Sequence, residues 1–335
     1  MYDKAICTTC TASNFDMSSR NSEGVFCSKE DLVPLESQVA GHGSLGSRSR
    51  SGIYLHVRDG YIVKPIEKTA LFEKERKAYD FINSKKDEVN LKLQEFLPQY
   101  YGVRKLRLEG KDVNALALQD ITHDLLMPCV MDVKIGRQTW EPDAPEEKIK
   151  VEKGKYVECR RDLGFCIPGI QYCLTVGTEL QLIKHGKEYG KSLDKNGAIL
   201  ALKTFVSWDP HCRRILILQY LCRLQQIFQW FQCQDRYLFY SSSLLFVYDA
   251  SEVKFLRSQC NRYMDAANNP VSYPAQILRA LENCLSHYYS FKEEADPEKR
   301  MDYLKKASSC LENKLLKTMS DEHSKINMES ALYIS

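Results

Sequence analysis

The chain has 335 residues, 44% hydrophobic and 27% charged, enough apolar material for a real core in one large or two smaller domains. Its net charge of +3 is too small to argue nucleic-acid binding, so any anion site must be local. No apolar run approaches the roughly 20 residues that span a bilayer. The stretch from Met1 to Arg20 lacks a charged region followed by an apolar one, so a cytoplasmic or nuclear protein without a transmembrane segment is expected. Thirteen cysteines without framework spacing read as reduced thiols. Cys7 and Cys10 have no second pair to complete four ligands, so no zinc site is expected.

Residues 1–30 are rich in Ser, Thr and Asn, which predicts a mobile arm with order beginning near Asp31. Gly41-His42-Gly43-Ser44-Leu45-Gly46 fits a GxGxxG pattern, but a dinucleotide site needs a helix directly after it. Here a Ser/Arg loop leads instead into Ile53-Tyr54-Leu55-His56-Val57. Asp59-Gly60 separates that run from Tyr61-Ile62-Val63-Lys64, predicting a hairpin with a type I′ turn and Lys64 on its second strand. Spacings of three and four among Leu71, Phe72, Glu75, Ala78, Tyr79 and Ile82 predict a helix over 67–84. Glu75 lies inside this stripe, where a carboxylate wants a cation, and Lys64 is the natural partner. The pair is either a structural salt bridge or, as in protein kinases, the device that fixes a lysine for nucleotide phosphates. Tyr100-Tyr101-Gly102-Val103 and Val113-Asn114-Ala115-Leu116-Ala117-Leu118 read as further strands.

Pro128-Cys129-Val130-Met131-Asp132-Val133-Lys134-Ile135-Gly136 is the most informative stretch. Its apolar run suits a buried strand, yet Asp132 and Lys134 interrupt it at period two, so both charges leave on one face. Such a strand either holds a mutual ion pair or lines a polar cleft. Further on, Lys148 and Lys155 are seven apart, which puts them on one helical face with Glu152 between them. Four lysines within residues 148–155 are either a solvated surface or an anion site. A long helix is predicted from Asp209, with Pro210 first and Ile217, Tyr220, Leu221, Leu224, Ile227, Phe228 and Phe231 as its core stripe. A strand over 237–248 follows, and the end of the chain looks disordered apart from a helix over 303–316.

Pro-x-x-x-Asp-x-Lys-x-Gly, preceded by Leu118-Gln119-Asp120-Ile121-Thr122-His123, resembles the signature of the inositol polyphosphate kinase family. The Asp-Val-Lys-Ile-Gly wording is most similar to the multikinases within it. Leu163-Gly164-Phe165, the Gly186 to Leu193 loop and Ser242-Ser243-Leu244-Leu245 resemble further family segments. The resemblance implies an α+β, two-lobed fold of protein-kinase-like architecture with an antiparallel sheet in each lobe. The amino-terminal lobe would be 31–118 and the carboxy-terminal lobe 119–294, with an inositol-phosphate-binding helical segment near 143–162 and a divergent tail over 295–335. It implies ATP and Mg2+, with the nucleotide met by Lys64, Glu75, the linker backbone at Gln119 and Ile121, and Asp132 on the ribose. The acceptor would be met by Lys134, Lys148 and Lys155, with Lys134 and Asp132 at the reacting centre.

The family places an Ile-Asp-Phe-Ala-His motif after the Ser-Ser-Leu-Leu strand, and its aspartate binds magnesium. No such string occurs here; Asp265, in Arg262-Tyr263-Met264-Asp265-Ala266-Ala267-Asn268, is the candidate ligand, a surface aspartate before Asn269-Pro270 being the alternative. The implied activity is phosphorylation of soluble inositol trisphosphate to the tetrakis- and pentakisphosphate by a monomer. Phosphatidylinositol bisphosphate headgroups at a membrane surface are a second implied acceptor. A catalytically impaired binding or scaffold protein, and a sister trisphosphate or hexakisphosphate kinase, are the alternatives. Val151 and Glu152 stand where multikinases often carry glutamine, which leaves acceptor preference open.

Overall fold

Tyr61, Val63 and Pro65 are buried while Ile62 and Lys64 between them are half-buried, the alternation of a strand with one fully covered face. This strand, β4 (Tyr61–Pro65), belongs to a six-stranded sheet. The others are β1 (Val25–Phe26), β2 (Leu32–Pro34), β3 (Tyr54–His56), β5 (Tyr100–Leu108) and β6 (Lys111–Gln119), in the order β1-β5-β6-β4-β3-β2. The computed structural model describes residues 25–40, 52–177, 179–206, 210–251 and 331–334, with 296, 299, 302 and 306. The described chain thus begins at Val25, before the expected start near Asp31: β1 pairs with β5, and this one pair is parallel. The Asp59-Gly60 turn is not type I′. His56 pairs with Tyr61, so four residues intervene, and of these only Gly60 has a positive φ, 69°, its N–H donating to the His56 carbonyl. The two-residue turn with both φ values positive joins β5 to β6, at Glu109 (50°) and Gly110 (79°).

Helix α1 (Thr69–Ser84) starts two residues later than predicted and buries Phe72, Tyr79 and Ile82. Leu71 and Ala78 are exposed, because each lies one residue, about 100° of helix rotation, to the side of the buried line. Phe72 and Tyr79 pack on Leu116 and Leu118 of β6. Helix α2 (Glu88–Gln94) follows, its first turn capped by Asp87, which accepts from the Asn90 N–H.

The second sheet is antiparallel and ordered β11-β10-β7-β8-β9. Its strands are β7 (Pro128–Ile135), β8 (Phe165–Val176), β9 (Glu179–His185), β10 (Ser243–Asp249) and β11 (Ala331–Ile334). Around it lie α3 (Glu146–Lys153), α4 (Val157–Leu163), α5 (Lys187–Ser192), α6 (Lys195–Phe205) and α7 (Pro210–Cys233). The chain is therefore α+β, and no described helix is long and apolar enough to cross a membrane. β11 corrects the expectation of a disordered end: it pairs with β10 from Leu244 to Val247, satisfying backbone groups of the sheet edge. The 186–193 segment, read as a loop, contains α5. In α7 the residues Tyr220, Ile227 and Trp230 are buried but Phe228, placed on the core stripe, is 49% exposed.

Strand β7 is central, and its two faces meet different surroundings. Cys129, Met131 and Val133 enter the main core with Ile167, Phe205, Tyr220 and Tyr248. Val130, on the other face, packs with Val247 and with Val39 and Ala40, which cross over the sheet. A side chain at Gly169 of β8 would place Cβ 2.0 Å from the Val39 carbonyl oxygen, so only glycine admits this crossing. Asp132 and Lys134 share the parity of Val130 and leave the sheet on this second face.

Candidate active site

Asp132 and Lys134 form no close ion pair: among the described residues neither makes one within 4.0 Å, and Asp132 Oδ1 is buried without a hydrogen-bond partner. Burial pushes the Asp132 carboxyl above the ordinary range, against the opposing pull of Ser243, Lys134 and Lys64. Ser243 is the β10 residue paired with Lys134. The same three neighbours show that Lys64, from the other sheet, reaches the electrostatic neighbourhood of Asp132. The pairing of β7 with β8 shifts register between Asp132 and Lys134, a β-bulge of the kind that re-aims side chains beside functional sites. Among the described residues this strand therefore holds no mutual ion pair within 4.0 Å, although Lys134 remains one of the charges acting on Asp132.

Lys64 is aimed by Glu75. Its Nζ lies 2.7 Å from Glu75 Oε1, the contact that the carboxylate in the α1 stripe required. Both side chains are about one-third exposed, so the pair adds at most about 1 kcal/mol of stability and its value lies in orientation.

The connection from β6 to β7, residues 120–127, is braced at both ends by buried carboxylates. Asp120 accepts from the Thr122 N–H at 2.8 Å and from Thr122 Oγ1 at 2.7 Å. Asp249, at the end of β10, accepts from the Leu126 and Met127 N–H groups at 2.7 and 3.0 Å. Ile121 packs with Val39, Val130 and Leu125. The Gln119 N–H donates to the Gln99 carbonyl at 2.8 Å, and its side-chain oxygen accepts from the Gln99 N–H at 3.3 Å. That side chain lines a cavity of about 380 Å3 with Tyr79, Gln94 and Tyr100 behind the linker. Neither Asp132 nor Lys134 lines this cavity, so the chemistry lies elsewhere.

Lys148 and Lys155 do not share a helical face. Helix α3 ends at Lys153, Gly154 closes it, and Tyr156 turns the backbone left-handed at φ 54°. Gly154 carries the weak helix propensity that ends the run. Lys148 Nζ lies 4.0 Å from Glu141 Oε2, and Glu141 also pairs with Lys74 of α1 at 2.6 Å. Lys155 Nζ lies 2.7 Å from Glu152 Oε1.

Lys187, at the start of α5, is a member of the site that sequence reasoning did not single out. Burial and the positive charges of Lys134, Lys155 and Lys191 lower its pKa. Lys134 of β7 and Lys155 of the α3–α4 connection are therefore within electrostatic reach of Lys187 on α5, although the three are far apart in sequence. Glu188 opposes this shift, Glu152 is paired with Lys155 and Glu188 with Lys191, so the positive charges are partly offset within the chain.

Asp265 lies outside the described residues, as does the 41–46 glycine pattern. Among the described residues, no group of three or more His, Cys, Asp or Glu side chains is placed to hold a metal ion.

The model of the inositol polyphosphate kinase family matches residues 115–328. The human inositol polyphosphate multikinase is 32% identical over 221 residues, covering 65% of this chain and 51% of that protein. The Arabidopsis thaliana multikinase beta is 29% identical over 237 residues, 65% of this chain and 76% of the relative. A human inositol hexakisphosphate kinase is 31% identical over 148 residues, 43% and 35% of the two chains. A solved inositol phosphate multikinase is 29% identical with a TM-score of 0.40, over 52% of this chain and 79% of that one. One from S. cerevisiae, solved with ADP and Mn2+, is 20% identical with a TM-score of 0.44, over 58% and 79%. The chain spans about half the length of the mammalian relatives it matches. With the family model covering well over half of its residues, and with the Asp132 and Lys134 strand inside the match, this chain belongs to the inositol polyphosphate kinase family.

Proposed function

We propose that the protein transfers the γ-phosphoryl group of ATP to a hydroxyl of a soluble inositol phosphate, converting the trisphosphate to the tetrakis- and pentakisphosphate. Phosphatidylinositol bisphosphate headgroups at a membrane surface are a second acceptor of the same chemistry, and the protein acts in the cytoplasm or nucleus. The observation that carries this reading is the cluster of Lys134, Lys155 and Lys187 beside a buried carboxylate with an unpartnered oxygen. Polyphosphate recognition by several lysines is sound chemistry, since each is a mobile point charge.

Lys64, held by Glu75, takes ATP phosphates, and Asp132 accepts hydrogen bonds from the ribose hydroxyls as an ionised carboxylate. The adenine is read by the linker backbone at Gln119 and Ile121, whose carbonyl and N–H respectively take no part in the bracing bonds to Asp120 and Asp249. Lys134 stands between the two ligands and stabilises charge at the reacting hydroxyl, while Lys155 and Lys187 fix the acceptor; Lys148, beside Glu141, lies outside this cluster. Catalysis then comes from positioning and charge stabilisation.

Magnesium usually takes only one or two carboxylates together with substrate phosphates and water. Asp265 is the assigned ligand, and Asp132 Oδ1 is a described carboxylate oxygen that fits such a role because it lacks a partner. When bound, the ion neutralises charge on the transferring phosphates.

A second reading rests on the sequence after β10, where no Ile-Asp-Phe-Ala-His string occurs. A protein that binds both ligands without turnover would follow. Incubation with Mg-ATP and a panel of inositol phosphates, with products separated by anion exchange, decides between them. Tetrakis- and pentakisphosphate are the expected products; ADP binding without any product would establish the binding protein.

A further inference from the structure

Glu152 sits inside the lysine cluster, at the end of α3, where the chain turns through Gly154. Its Oε1 lies 2.7 Å from Lys155 Nζ, and its Oε2 accepts from Thr139 Oγ1 at 3.1 Å and faces Arg160 at 3.9 Å. Arg160, only 6% exposed, also donates to the Glu152 carbonyl at 2.9 Å. Burial raises the Glu152 carboxyl, but Lys155, Thr139 and Arg160 outweigh it and leave the group below the ordinary carboxylate range. The carboxylate is therefore ionised and held in one place by groups from three segments of chain. Lys155, its partner, is at the same time one of the charges that act on Lys187.

We propose that Glu152 is a specificity-determining residue that holds Lys155 as an internal counterion, so that an acceptor phosphate must take this lysine from it. The inference rests on the acceptor assignment above and extends it. When a binding group is already occupied for most of the time, apparent affinity falls by the fraction left free. In addition, a fixed carboxylate repels a ligand in proportion to the ligand's charge, so the penalty grows with the number of acceptor phosphates. Glu152 thus biases the site toward acceptors of lower phosphate content.

Titration calorimetry of the full chain with inositol trisphosphate and with inositol hexakisphosphate tests this. Glu152→Gln keeps an oxygen for Thr139 and Arg160 but loses the charge, and should bind the trisphosphate about three- to tenfold more tightly. The gain should be larger for the hexakisphosphate and should vanish when Lys155→Ala is combined with it. ADP titration of each variant reports an intact fold, and Glu152→Asp, which keeps the charge but draws it back from Lys155 by one methylene, gives a smaller gain for both ligands should the glutamine variant fail to fold. Unchanged affinity in Glu152→Gln, or a gain that persists without Lys155, would overturn the proposal. No binding of either inositol phosphate by any form that binds ADP would instead remove the acceptor assignment, and this inference with it.

Discussion

Lys134→Ala should slow phosphoryl transfer about 100- to 1,000-fold, the usual cost of removing one preorganised charge from a transferring centre. ADP affinity should change by less than about threefold, because Lys134 makes no ion pair within 4.0 Å among the described residues and Ser243 and Lys64 still act on Asp132. Loss of the neighbouring cation should push the Asp132 carboxyl higher still, since Lys134 is one of the groups holding it down. Single-turnover rates and ADP titration separate these effects. Loss of ADP binding together with transfer would show that Lys134 belongs to the nucleotide.

Asp132→Asn should abolish detectable transfer and at the same time raise Tm by about 1–2 °C near neutral pH, the shift expected from about 1 kcal/mol in a chain of 335 residues. The sign follows from the direction of the pKa. Burial raises the folded-state value, so at neutral pH the folded protein bears the cost of an ionised, poorly solvated carboxylate that the unfolded chain does not. Below the ordinary carboxylate range both states are protonated and that cost disappears, so the Tm advantage of the asparagine variant should fade on acidification. Nucleotide affinity of the wild type should decline as pH falls through the raised value, where the ribose contact loses its charge. A lower Tm for Asp132→Asn at neutral pH would mean that the carboxylate is well solvated or paired and the cleft has been misread.

The parts of this site that were legible in the sequence are those carried by a short-range period. Two charges at alternate positions of an apolar strand had to share a face, and Glu75 in an apolar stripe had to find a cation. Lys187 was not legible for the opposite reason: its setting arises where β7, the α3–α4 connection and α5 meet, and no periodicity within residues 186–193 announces that meeting. Lys155 was placed on α3 because spacing was counted through Gly154, where the helix in fact stops. The hairpin turn was misassigned because Asp-Gly is a strong two-residue signal, whereas the pairing of His56 with Tyr61 sets a four-residue connection. Glu109-Gly110 makes the tight turn because β5 and β6 pair right up to Leu108 and Lys111. Strands β1 and β11 are too short to carry a pattern of their own; each is defined by the sheet edge it covers.

The central claim is that Lys134 and Lys187 serve the acceptor while Lys64 serves the nucleotide. Lysine acetylation followed by mass spectrometry, with and without each ligand, measures this directly. Inositol trisphosphate should protect Lys134, Lys155 and Lys187 and leave Lys64 reactive, and ADP should protect Lys64 alone. Equal labelling of Lys134 and Lys187 with and without the inositol phosphate, in protein whose Lys64 is protected by ADP, would contradict the account.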